Sequence, residues 1–360
     1  MRTVHALMKR AIEDGVFPGA VLLVSRNSAC VFFEAYGCAN IFSGRPVTRE
    51  TVFDLASLTK PLATTLAVMR LVEQRRLHLD QPLKTLLAEF ENSPGGDISV
   101  AELLGHTAGL VAYRPFYREL IKGPAPLRRS ALTRRLAEEI PLRNNRKQAL
   151  YSDLGFMILA RVVATISGRR LDRFVHREVY TPLGVEGLFF VDLEAGPDRS
   201  RHTFAATEAC PWRKMLLEGV VHDENAYAVG GIDGHAGLFG NAAALNRLLD
   251  QILSDYHGGA PQPFFNPRLL QHFLRRNPAT DRALGFDCPS RPHSSSGRYF
   301  PEHAVGHLGF TGTSFWVDLK RCLSVVLLSN RVHPSRQNER IRQFRPKLHD
   351  AVMESLSMCS

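Results

Sequence analysis

Two β-rich hairpin patterns stand at opposite ends of this chain, and no other feature restricts the fold as tightly. Near the start, "GAVLLVS" and "ACVFFEAYG" are apolar and aromatic runs separated by Arg26-Asn27-Ser28, which predicts two strands and a turn. Near the end, "GFTGTSFWVD" and "CLSVVLLSN" repeat the pattern around Leu319-Lys320-Arg321. Residues 80 to 260 read instead as helical patterns split by Gly and Pro, for example "SVAELLGHTAGL", "SDLGFMILARVVATISGR" and "GNAAALNRLLDQIL". With strands at both ends and helices between, the simplest packing joins the two ends in one antiparallel sheet.

Helices are expected over residues 3 to 14, ending at Gly15, and over about 336 to 356. A third starts within a residue or two of Ser57 and runs to Arg75. Its Leu62, Leu66, Met69 and Leu71 follow helical spacing, and Pro61 is tolerated in the first turn. The Pro-, Gly- and Ser-rich stretches 91 to 97 and 287 to 298 read as surface loops.

Composition narrows the class. At 360 residues, 44% hydrophobic and 22% charged, the chain fits a globular protein of one large domain or two intimately packed ones. No run approaches the roughly 18 apolar residues of a membrane span. The N-terminal 25 residues lack an apolar segment ending in a small-residue cleavage site, so a cytoplasmic location is expected. Six scattered cysteines contain no C-x-x-C pair, and several lie in apolar runs, so buried free thiols are expected. The net charge of +10 comes from clusters at 127 to 136, 143 to 147 and 331 to 347. These lack interleaved aromatic platforms, so no specific nucleic-acid partner is expected.

The chemistry begins in "LASLTKP". Ser57 and Lys60 form the chain's one S-x-x-K, and three residues apart on a helix the two side chains share a face. A lysine poised there can take the serine proton or lower its pKa electrostatically. A capping serine beside a solvated lysine is the plainer alternative. Tyr151-Ser152-Asp153 opens the later helical stretch; a tyrosine oxygen beside a lysine can shuttle a proton, while Ser152 or Asp153 can cap the helix. H-x-G occurs at His235, His257 and His307. Only His307 leads into a predicted strand, where glycine permits close approach of a substrate.

In this order and with these gaps, Ser57-x-x-Lys60, Tyr151-x-Asp153 and His307-x-Gly309 resemble the three motifs of the penicillin-recognising serine hydrolases: class C β-lactamases, DD-peptidases and β-lactamase-like esterases. The stretches "FDLASLTKPL", "LLGHTAGL", "GHAGLF" and "GHLGFTGTSFWVD" extend the likeness over about residues 5 to 345. The resemblance implies a β-lactamase/transpeptidase-like fold of the α/β (α+β) class. Residues 1–80 and 265–360 would form the helix-flanked antiparallel sheet and 81–264 a mainly helical insertion, with the active site between. It also implies roles: Ser57 as acylated nucleophile, Lys60 and Tyr151 as the proton-handling pair, His307 at the catalytic corner, and Asp153 and Gly309 against the substrate. The backbone N–H groups of Ser57 and Phe310 would form the oxyanion hole. No cofactor and no metal are implied.

Three departures from the family pattern matter. Asp153 replaces an asparagine and removes an amide donor. His307 replaces a lysine, making charge at that corner depend on pH near neutrality, with activity expected to rise as pH passes about 6.5. Leu308 replaces a Thr or Ser and deletes a hydroxyl that helps bind the β-lactam carboxylate. Charge-assisted hydrogen bonds are worth roughly 1.5–3 kcal/mol, so β-lactam binding weakens more than binding of an uncharged acyl group. The expected activity is a carboxylesterase or amidase acting on a small acyl substrate, unless Arg114 or Arg282 restores a cation. β-Lactamase or DD-peptidase activity is the enzymatic alternative, and a catalytically silent binding or sensing module the other.

The remaining candidates carry less. His106 is expected to end a helix and bond to backbone. The Gly-rich segment 220 to 240, with His222, Asp223, Glu224 and Asn225, reads as a loop bordering the cleft or a structural turn. His222 with Asp223, and His303 with His307, have no metal-ligand spacing. No G-x-S-x-G occurs, and the glycines from 230 to 237 form no dinucleotide fingerprint.

Overall fold

The computed structural model describes residues 1–142, 149–196, 202–259, 261–290 and 292–357. The basic cluster at 143 to 147 lies outside the described residues, as does Cys359. The two end hairpins meet as expected. Gly19–Arg26 pairs antiparallel with Leu323–Ser329, in a register running from Ala20 opposite Ser329 to Arg26 opposite Leu323. The resulting eight-stranded sheet runs in the spatial order Arg45–Pro46, Ala29–Asn40, Gly19–Arg26, Leu323–Ser329, Ser314–Asp318, Val305–Leu308, Phe286–Asp287, Arg282–Ala283.

The central strands are apolar on both faces because both are covered. Ala20, Leu22, Val24, Val325 and Leu327 pack with Val4, Met8, Phe344 and Leu348 of the terminal helices Arg2–Glu13 and Ile341–Ser357. Val21, Leu23, Val326 and Leu328 point the other way, into the main core shared with the inner helices. This is why "GAVLLVS" and "CLSVVLLSN" lack polar alternation. Asn27 and Ser28 supply the two left-handed residues of the N-terminal hairpin turn. Helix Ala242–Tyr256 is anchored on the sheet: Ser25 donates to Asp250 at 3.2 Å and Ser324 to Asn246 at 2.7 Å.

Several expectations are refined. His307 does not precede its strand but lies inside it, in Val305–Leu308; the turn 309–313 then leads into Ser314–Asp318. The middle of the chain also holds short strands. Phe53–Asp54, Leu238–Gly240 and Leu188–Phe190 form a small sheet that ends directly before Ser57. The thiols are free but not uniformly buried: Cys210 and Cys288 are, whereas Cys30 is exposed on the outer part of its strand and Cys38 and Cys322 are half-buried. Much of the basic excess is spent internally. Arg128 donates to the Gly123 and Ile121 carbonyls, Arg129 pairs with Glu194, and Arg336 chelates Glu208.

Candidate active site

The turn carrying Ser57 is not a plain helix start. Ala56–Leu58 is a 3₁₀ turn, Lys60–Thr65 has π-helical hydrogen bonding, and regular α-helix begins at Leu66. Pro61 lacks the N–H that would continue an α ladder from this turn, and Ser57 makes no capping bond. Ala56 holds a left-handed φ of 48°, a conformation costing about 1–3 kcal/mol for a non-glycine residue. Its neighbours impose it. The buried Asp54 carboxylate accepts the N–H groups of Ala56 at 2.9 Å and His222 at 2.6 Å. Thr311 and Thr313 donate to the Asp54 and Leu55 carbonyls at 2.7 and 3.0 Å. The C-terminal hairpin region therefore clamps the turn from the sheet side.

Lys60 is fully buried, with three donors and three acceptors: Ser57 Oγ at 3.1 Å, Asp153 Oδ1 at 2.7 Å and the His235 carbonyl at 3.1 Å. Burial favours the neutral amine, but the Asp153 carboxylate outweighs it, and the pKa moves up. The resting side chain is an ammonium. Asp153 opens helix Asp153–Ser167, whose N-terminus favours an acidic residue. It lines the cleft, yet its carboxylate is engaged with Lys60.

Tyr151 lies over the ammonium, its ring centroid 4.9 Å from Nζ. Burial raises its pKa despite the nearby ammonium, so the phenol stays protonated. His106 packs on Tyr151 at 4.7 Å and accepts the Ser152 N–H at 3.0 Å, the backbone role expected of it. Ser152 makes no side-chain cap; its hydroxyl donates to the Val111 carbonyl.

His307 is buried, with its ring 6.0 Å from that of Tyr151. Nδ1 lies 2.9 Å from the Leu308 carbonyl and so carries the proton, while Nε2 has no partner among the described residues. Burial pushes the imidazole down to about 4, Lys60 and Arg282 adding to the shift and Asp287 opposing it. The titration near 6.5 expected from the isolated residue is therefore displaced: His307 is neutral throughout the physiological range.

Gly309 sits where a Cβ would lie 2.0 Å from Thr313 Oγ1 and 2.6 Å from the Leu55 carbonyl, so only glycine lets this turn touch the Ser57 turn. Its carbonyl is held by the Gly312 N–H at 3.1 Å and Arg345 at 3.4 Å. Across a trans peptide the Phe310 N–H points the opposite way. Among the described residues, neither this N–H nor that of Ser57 has a backbone or side-chain acceptor.

Ser57, Tyr151, Asp153, His307, Gly309 and Phe310 line a cleft of about 850 Å³, together with Leu308, Tyr113, His222, Glu224 and Arg336. The half-exposed Phe310 ring stacks on His222 at 5.5 Å and under the Arg331 guanidinium at 4.6 Å. Neither arginine singled out from sequence lies free in the cleft. Arg114 pairs with Glu139 beside a separate groove, and Arg282 pairs with Asp287 while lying over Tyr151. The cations that line it are others. Arg331 donates to the Phe310, Arg336 and Asn338 carbonyls, and Arg345 to those of Gly309 and Thr313. Neither belongs to a motif; both fall in the basic cluster at 331 to 347. Among the described residues no group of three or more His, Cys, Asp or Glu side chains is arranged to hold a metal ion, and no helix is long and apolar enough to cross a membrane.

The fold is that of the β-lactamase and penicillin-binding-protein-like superfamily. The chain belongs to the Beta-lactamase family, whose profile spans residues 3–346. It is 32% identical over 366 residues to an N-acetylmuramyl-L-alanine amidase of Bacillus subtilis (strain 168), covering 92% of this chain and 81% of the relative. A putative D-alanyl-D-alanine carboxypeptidase of Escherichia coli (strain K12) is 29% identical over 350 residues, covering 89% and 80%. Among solved structures, EstCE1, a hydrolase with promiscuous acyltransferase activity, superposes with a TM-score of 0.70 at 22% identity over 96% of this chain and 98% of that one; the likeness is one of fold.

Proposed function

We propose that the protein is a cofactor-independent serine hydrolase that cleaves an amide or ester through an acyl-enzyme on Ser57. The observation that carries this reading is the buried Lys60 ammonium 3.1 Å from Ser57 Oγ at the wall of the cleft. In this scheme the Ser57 proton passes to Lys60 as Lys60 releases one to Asp153, 2.7 Å away, so no neutral amine need persist beside a carboxylate. The serine oxygen adds to the acyl carbon, and the carbonyl oxygen becomes an oxyanion facing the Ser57 and Phe310 N–H groups. Tyr151 gives its proton to the departing nitrogen or oxygen as the C–N or C–O bond breaks, and regains one through Lys60 from Asp153. Water then adds to the acyl-serine by the same groups in reverse.

Amide cleavage is favoured by the relative described as an amidase, and an uncharged acyl group by the absence of a hydroxyl at Leu308. The second reading, β-lactam or D-alanyl peptide hydrolysis, draws on the carboxypeptidase-like relative and on Arg331 and Arg345 in the cleft. Labelling with a fluorophosphonate followed by mass spectrometry tests the nucleophile: an adduct on Ser57, and loss of p-nitrophenyl butyrate turnover in Ser57→Ala, are expected. A wild-type protein that takes no adduct at Ser57 would leave a binding module instead. Turnover of N-acyl-amino-acid amides against a chromogenic cephalosporin separates the two enzymatic readings.

A further inference from the structure

The third acceptor of Lys60 lies outside the three motifs. Segment 234–238 packs behind the Ser57 turn, and the His235 carbonyl receives the ammonium at 3.1 Å. An ammonium has three N–H groups; without this acceptor it could turn away from Ser57 while remaining paired with Asp153. The segment is tied to the same turn elsewhere: Thr64 donates to the Gly234 carbonyl at 2.7 Å, and the Leu238 N–H donates to Thr59 Oγ1 at 3.1 Å. Gly234 has no room for a side chain, since a Cβ would lie 2.1 Å from the Phe156 carbonyl.

The His235 side chain fixes the residue whose carbonyl Lys60 uses. It is 1% exposed, and its Nε2 meets Asp223 Oδ1 at 2.8 Å. The same Asp223 oxygen accepts the Ala226 N–H at 2.8 Å and caps the short helix Glu224–Ala228, so the pair joins the cleft wall to the floor under Lys60. Burial opposes an imidazolium here, but Asp223, Asp153 and Asp233 face the ring and raise its pKa. Lys60 and Arg213 are cations acting on Asp223, and Arg161 neutralises Asp233 at 2.9 Å. Nδ1 finds no partner among the described residues, so the contact with Asp223 is the one that holds the ring.

We propose that the Asp223–His235 ion pair is a positioning device that holds the Lys60 ammonium on Ser57 through the His235 carbonyl. This rests on the acyl-enzyme reading above. His235→Ala should lower both kcat per folded molecule and the rate of fluorophosphonate labelling at Ser57 by about tenfold, with KM within about twofold, as expected for loss of roughly one hydrogen bond to a charged group. His235→Gln, whose amide places a donor where Nε2 sat, should recover most of the loss. Wild-type kcat and labelling rate in His235→Ala, or a glutamine variant as impaired as the alanine one, would overturn the inference. Should the alanine variant not fold, Asp223→Asn carries the test: it keeps a hydrogen bond without the charge, a several-fold fall in labelling rate is expected, and an unchanged rate refutes the pair's role. The two claims fail separately. A wild type unlabelled at Ser57 defeats the acyl-enzyme reading, whereas a labelled wild type with an unimpaired His235→Ala defeats only this inference.

Discussion

Asp153→Asn isolates the interaction on which the electrostatics of the cleft depend. At 2.7 Å, and with an effective dielectric constant of 20, the gross attraction between Lys60 and Asp153 is about 6 kcal/mol. Asparagine keeps an acceptor for Nζ but removes the charge from a lysine that is fully buried. Breaking one side of a buried pair costs about 3–5 kcal/mol, and the retained hydrogen bond places the expectation near the lower end, about 3 kcal/mol at pH 7. The sign of the pH dependence follows from the direction of each shift. In the wild type Lys60 is raised above its ordinary value, so its stabilisation is fully present at neutral pH and is lost only as pH climbs past the ordinary lysine range. In the variant burial acts without the carboxylate and pulls Lys60 down, so the penalty is present at pH 7 and fades toward pH 10. Equilibrium urea unfolding at pH 7 and pH 10 reads both effects. A variant within about 0.5 kcal/mol of wild type at pH 7, a loss smaller than the rank of a buried-pair deletion, would refute the reasoning. So would a deficit that does not shrink by pH 10.

Two further predictions use the same logic. His307 is pushed down to about 4, so stability is intact above its ordinary value of about 6.5 and drains as pH falls toward 4, where the unfolded chain takes a proton the folded one refuses. His307→Gln should flatten part of that acid slope in thermal melts, and hydrolysis should show no His307-dependent inflection between pH 5 and 8; an inflection near 6.5 that disappears in the variant would contradict the assigned neutrality. Leu308→Thr restores a hydroxyl beside the cleft and should raise turnover of a chromogenic cephalosporin relative to p-nitrophenyl butyrate by about tenfold, the worth of one charge-assisted hydrogen bond. An unchanged ratio would remove the argument that Leu308 disfavours carboxylate-bearing substrates.

The motif residues were legible because their chemistry depends on side-chain type and spacing. Ser57 and Lys60 are three apart on one turn, and Tyr151 and Asp153 begin a helix whose apolar run announces it. Other parts had no comparable signal. The strands Phe53–Asp54 and Leu238–Gly240 are too short for alternation to register. Nothing about alanine indicates the left-handed Ala56, which tertiary hydrogen bonds from Asp54 and the hairpin impose. His235 is one of three H-x-G histidines, and the sequence after it reads as helical although Leu238–Gly240 is a strand; its importance to Lys60 runs through a backbone carbonyl, which every residue possesses.

The sequence by itself determined the two-ended sheet and the residues able to do acyl-transfer chemistry, since hydrophobic patterning and functional-group identity are local properties. Tertiary structure decided the state of those groups. Lys60 is charged because Asp153, 93 residues away, outweighs its burial. His307 is neutral because it is buried, with Lys60 and Arg282 adding to the shift, and the cleft takes its cations from Arg118, Arg331, Arg336, Arg342 and Arg345 rather than Arg114 or Arg282. Protonation and orientation are sums over neighbours brought together by folding, and no spacing within the chain contains that sum.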